Sequence, residues 1–69
     1  MNDITYTLKI KRGRYWTNYR FVGSDQNTAL LARLADEELI SPAAYDMPIG
    51  DVINQVNETN GGEVVITVA

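Results

Sequence analysis

The chain has 69 residues, of which 45% are hydrophobic and 22% charged, with no cysteine, no histidine and a net charge of −3. This composition belongs to a single globular domain, residues 1–69, and not to a disordered chain. It excludes a disulfide framework, thiolate chemistry and every Ser-His or Cys-His nucleophile arrangement.

Ile4, Tyr6, Leu8 and Ile10 alternate with Thr5, Thr7, Lys9 and Lys11, a period of two that gives a strand one apolar and one wettable face. Tyr15, Tyr19 and Phe21 repeat the spacing in the run YWTNYRFV, and Arg12-Gly13-Arg14 joins the two runs. A β-hairpin is predicted. A lone hairpin is at best marginally stable in water, so the following segments have to cover its apolar row.

The segment GSDQNT reads as a loop in which Ser24, Asp25, Asn27 and Thr28 are candidate helix caps. Ala29, Leu30, Leu31, Leu34 and Ala35 then form one stripe, which predicts a helix with its leucines toward the sheet, ending near Leu39 or Ile40 because Pro42 disfavours α geometry at Ser41. Ser41-Pro42 opens a short helical turn over PAAY. After Asp46-Met47-Pro48, the residues Ile49, Val52, Ile53 and Val56 stand at i, i+3, i+4 and i+7, the pattern of a second amphipathic helix. Gly50 weakens that helix and would allow close approach to a neighbour. Asn60-Gly61-Gly62 stops it, and EVVITVA suits a final strand.

The order predicts an α+β domain of ββααβ type, with a short helical turn between the main helices. Two main helices return the chain so that the third strand runs parallel to the first. The expected sheet is therefore three-stranded and mixed, in order 2-1-3, with the helices on one face. The alternative places the last strand antiparallel beside the second. Asn18 and Arg20 favour the first arrangement, because they mark the second strand as a solvent-tolerant edge.

The N-terminus lacks a basic segment followed by an apolar one, and no run approaches the roughly 20 apolar residues of a membrane span. A complete cytoplasmic chain, monomeric or weakly dimeric, is expected. Its charge is split. Residues 1–22 carry net +4, from Lys9, Lys11, Arg12, Arg14 and Arg20 against Asp3, whereas residues 23–69 carry net −7. Asp36-Glu37-Glu38 is the densest acidic cluster, but sequence neighbours on a helix diverge and form no shared catalytic pair, while Arg33 and Glu37 are spaced to pair on the surface. The spacing of Asp46, Asp51 and Asn54 fits no calcium loop, and the glycines fit no phosphate-binding loop. No enzyme activity, metal or cofactor is expected.

Two binding readings remain. The acidic residues Asp36, Glu37, Glu38, Asp51 and Glu58 would face a basic groove on a larger protein or ribonucleoprotein complex and mimic nucleic acid there. The hairpin residues Lys11, Arg12, Arg14, Tyr15 and Trp16, within the basic aromatic stretch 9–20, would instead track phosphates and stack on a base. The size, acidic balance and absence of catalytic chemistry or a targeting segment resemble the small phage and mobile-element proteins that disable bacterial defence, anti-CRISPR proteins among them. The resemblance is one of size and charge class, without a motif. It implies inhibition by binding, with a type I CRISPR surveillance complex as one candidate target, and the uncompensated carboxylates of residues 23–69 rank the acidic surface first.

Overall fold

In a computed structural model, which describes residues 4–23 and 28–69, strand β1 (Ile4–Arg12) is paired to β2 (Tyr15–Gly23) over nine consecutive antiparallel pairs. The connecting loop is Gly13-Arg14. Gly13 has φ 62° in the first loop position, the geometry of the II′ turn whose twist suits a hairpin. The candidate caps Ser24, Asp25 and Asn27 lie outside the described residues. Thr28 begins helix α1 (Thr28–Asp36), which is followed by a 3-10 turn at Pro42–Asp46, helix α2 (Ile49–Thr59) and strand β3 (Val64–Val68). No helix among the described residues is long and apolar enough to cross a membrane.

The sheet has order β2-β1-β3, as the edge character of β2 predicts, and both helices lie on one face of it. Tyr6, Leu8 and Ile10 of β1, with Val64 and Ile66 of β3, meet Leu30, Leu31 and Leu34 of α1 and Val52, Ile53 and Val56 of α2 in one buried cluster. Both predicted leucine and valine stripes therefore point into the core. Gly50 does not serve close approach: it is exposed, and a Cβ added there would meet nothing.

The expected parallel direction of β3, and with it the mixed sheet, is corrected. β3 pairs antiparallel to β1, with Tyr6 opposite Val68 and Ile10 opposite Val64, so the sheet is antiparallel throughout. The reason lies between the helices. α1 starts beyond Gly23 and ends where Glu37 reaches Arg12 at the hairpin tip. β3 also starts near the tip, where the Lys11 N–H donates to the Glu63 carbonyl. Both helices therefore run toward the tip, and the return is made by Glu37–Pro48 with its 3-10 turn. That segment is one more pass of the chain, so the strand direction is reversed.

α1 stops short of the expected Leu39. The Leu39 N–H donates to the Leu34 carbonyl at 2.9 Å and the Glu38 N–H to the Ala35 carbonyl at 3.0 Å. This is a Schellman closure, with Glu38 at φ 60° in the left-handed position glycine usually fills. The closure satisfies carbonyls that the helix end would otherwise leave unpaired.

Asn57 closes the other end of the architecture. Its Nδ2 donates to the Ile66 carbonyl at 3.0 Å, and its Oδ1 accepts from the Ile66 N–H at 2.8 Å. Thr5, Lys11 and the other odd residues of β1 bond toward β3, so the backbone groups of Ile66 point away from β1. The Asn57 amide thus occupies the free edge of β3 and ties α2 to it. Replacing Asn57 by leucine keeps the side-chain size but orphans both groups, and it is predicted to lower unfolding free energy by about 1–3 kcal/mol in urea denaturation. An unchanged midpoint would show that the bidentate contact does not stabilise the fold.

Candidate functional site

Among the described residues, the helices cover one face of the sheet and leave the other uncovered. Because cross-strand partners share a face, the pairings Lys11 with Trp16, Lys9 with Asn18 and Thr7 with Arg20 place these side chains together on the uncovered face. Val65 and Thr67 extend those rows on β3. Trp16 is 45% exposed, and with Lys9, Asn18 and Val65 it lines a shallow depression of about 440 Å³. No described carboxylate pairs with Lys9, Lys11, Arg14 or Arg20. Glu63, opposite Lys11, is the one described acidic residue at the margin of this face.

The structure divides the hairpin candidates between two faces. Lys11 and Trp16 belong to the uncovered face with Lys9 and Arg20, and Arg14 sits in the turn. Arg12 and Tyr15, one residue out of phase, lie on the helix side. Tyr15 is 78% exposed, beyond the end of the helical cover. The Arg12 Nη2 lies 2.7 Å from the Glu37 Oε1 and donates to the Tyr19 hydroxyl at 3.4 Å. Arg12 is therefore committed within the protein.

Glu37 is the centre of that arrangement. The Arg33 Nη1 stands 3.5 Å from its other oxygen, the i, i+4 pair the spacing predicts, and the Arg33 guanidinium lies 4.7 Å from the centroid of the Tyr19 ring. Tyr19 in turn stacks near Phe21, with ring centroids 6.5 Å apart. The Arg12 hydrogen bond holds the Glu37 carboxyl below the ordinary carboxylate range, and the same bond raises the Arg12 guanidinium. Three consecutive acids at the C-terminal end of a helix are unfavourable against its dipole. Arg12 and Arg33 offset that cost at Glu37, whose side chain is only 18% exposed.

The other acidic candidates, Asp36, Glu38, Asp51 and Glu58, are exposed on the helical layer. Asp51 and Glu58 stand about 10 Å apart along α2. Glu38 rims a cleft of about 520 Å³ between the end of α1, the 3-10 turn and α2, floored by Leu39, Ala44 and Val56. Among the described residues no three acidic side chains group closely enough to hold a metal ion. Lys9, Asn18 and Arg20, which lie in the stretch 9–20 but not among the five named tip residues, are the further contributors to the uncovered face. The alternation that puts Lys9 and Lys11 on one side of β1 is the signal that points to that face.

Because its folded-state pKa is depressed, Glu37 contributes stability that is fully present above the ordinary value of 4.5 and is lost as pH falls through the lowered one. Glu37→Gln is therefore predicted to melt below the wild type at neutral pH, with the two melting temperatures converging as pH falls below 4.5. A gap that persists in acid would contradict the ion-pair account.

No protein-family model, no curated protein and no solved structure matches this chain.

Proposed function

We propose that the protein is a non-catalytic binding module that takes single-stranded nucleic acid on its uncovered sheet face. The observation that supports this most is the half-exposed Trp16 set among Lys9, Lys11 and Arg20 on a surface no described helix covers. Lys9 and Lys11 stand about 7 Å apart on the same side of one strand, and neither is held in an ion pair by a described carboxylate, which leaves both to meet phosphates. The Trp16 ring offers a stacking platform to an unpaired base. A duplex hides its base faces and offers this flat surface only its backbone. The acidic helical layer behind the sheet confines any polyanion to the one face.

A second reading has its own observation. Asp36, Glu38 and Glu58 sit at helix C-termini without ion-pair partners among the described residues. The macrodipole makes carboxylates unfavourable there, so stability does not explain them. Inhibition of a basic groove on a larger protein, such as the nucleic-acid channel of a type I surveillance complex, would use them. Glu37 would stay with Arg12 and outside that interface.

Fluorescence anisotropy of a labelled oligothymidylate at rising salt tests the leading proposal. Wild type is predicted to bind at low salt. The Lys9→Ala, Lys11→Ala, Arg20→Ala triple variant is predicted to flatten the slope of log affinity against log salt by about 0.7 for each phosphate that the protein no longer neutralises. Trp16→Ala is predicted to cost about 1–3 kcal/mol. Wild type without binding at low salt would defeat the proposal. Loss of binding to a purified surveillance complex on reversal of Asp36, Glu38, Asp51 and Glu58 to lysine would then favour the second reading.

A further inference from the structure

The protein treats its two sheet edges differently. At the β3 edge the outward N–H and C=O of Ile66 are occupied by Asn57. At the β2 edge the even residues Trp16, Asn18, Arg20 and Val22 turn their backbone groups away from β1, and no described side chain bonds them. β2 is nine residues long and paired to β1 without a bulge, contains no proline and sends no charge to the helix side. Bulges, prolines and inward charges are the devices by which an exposed edge is ordinarily blunted. Only the charge of Arg20, on the uncovered face, resists pairing.

We propose that the β2 edge is a homodimer interface, in which two copies pair β2 to β2 antiparallel about a twofold axis at Asn18. The side chains select this register. With Asn18 opposite Asn18 of the second copy, Trp16 stands opposite Arg20 of the second copy, and the reciprocal pair repeats it. Each is a guanidinium against an aromatic ring. On the helix side, the exposed Tyr15 meets Phe21 of the second copy, an aromatic cross-strand pair that covers both. Shifting the axis to Arg20 would oppose two arginines directly, and shifting it to Tyr19 would leave Trp16 facing Val22 and Arg20 facing Asn18. Only the Asn18 axis satisfies the cation and both aromatics at once. The self-complementarity argues for a second copy over an unrelated strand, because a twofold interface must match the same patch to itself.

The dimer has one six-stranded sheet with a continuous uncovered face. The two Trp16 rings stand about 13 Å apart along the strand direction, and the cations of both copies line that face. This inference stands on the edge and not on nucleic-acid binding.

Sedimentation velocity without nucleic acid, from micromolar to millimolar chain, tests it. Wild type is expected to shift from 7.7 kDa to twice that mass as concentration rises. Asn18→Pro removes an outward N–H that β1 does not use, a position where an edge strand tolerates proline. This variant is expected to remain monomeric throughout while retaining the wild-type far-ultraviolet spectrum and a cooperative melt. Arg20→Ala, which leaves the backbone intact, is expected to raise the dissociation constant about tenfold through its two symmetric contacts. Wild type that stays at one chain's mass at millimolar concentration, or a dimer unaffected by both variants, would overturn the proposal.

Discussion

Among the described residues the fold is one sheet covered by one layer of helix, and the rest of the architecture follows from that arrangement. At this size only about 60% of the unfolded surface is buried on folding. The apolar side chains are accordingly concentrated on one face of β1 and β3 and on one stripe of each helix. β1 is the shared element: its even residues face the helices and bond toward β2, while its odd residues face solvent and bond toward β3. A one-residue slip would exchange Leu8 for Lys9 in the core, so register is fixed by burial.

The uncovered face is thus a consequence of size before it is a site. Its content is not dictated by size. Threonine would suffice on such a face, yet it carries Lys9, Lys11, Arg20 and Trp16, with Glu63 only at its margin, while Asp36, Glu38, Asp51 and Glu58 lie on the helical layer. Glu37 is where the opposite charges are joined, held by Arg12 from the hairpin tip and Arg33 from its own helix. That contact ties the end of α1 to the sheet at the point where the helical cover runs out. It also removes Arg12 and Glu37 from the charges available to a partner.

The elements were largely legible because they rest on local periodicity: the alternation in β1, the Ile49, Val52, Ile53, Val56 spacing, and the turn residues Gly13 and Asn60-Gly61-Gly62. The order of the strands followed from the polar residues of β2. The direction of β3 did not follow, because it depends on whether Glu37–Pro48 crosses the domain, and a short segment with two prolines carries no periodic signal of its path. Asn57 was invisible for a related reason: an asparagine on the polar side of a helix reads as solvated until the neighbouring strand edge is known. The hairpin cluster is continuous in sequence, but strand alternation places Arg12 and Lys11 on opposite faces. The Arg12–Glu37 pair is a long-range contact that no local pattern encodes.

If recognition belongs to the uncovered face of the sheet, a ligand must perturb that face and leave the helical layer alone. Amide and indole chemical-shift mapping during titration of the ¹⁵N-labelled protein with oligothymidylate addresses this residue by residue. The largest shifts are predicted at Lys9, Lys11, the Trp16 indole, Asn18 and Arg20, with Asp51 and Glu58 on α2 unmoved. Shifts concentrated on α2 and the end of α1, or none at saturating oligonucleotide, would contradict recognition by the uncovered face.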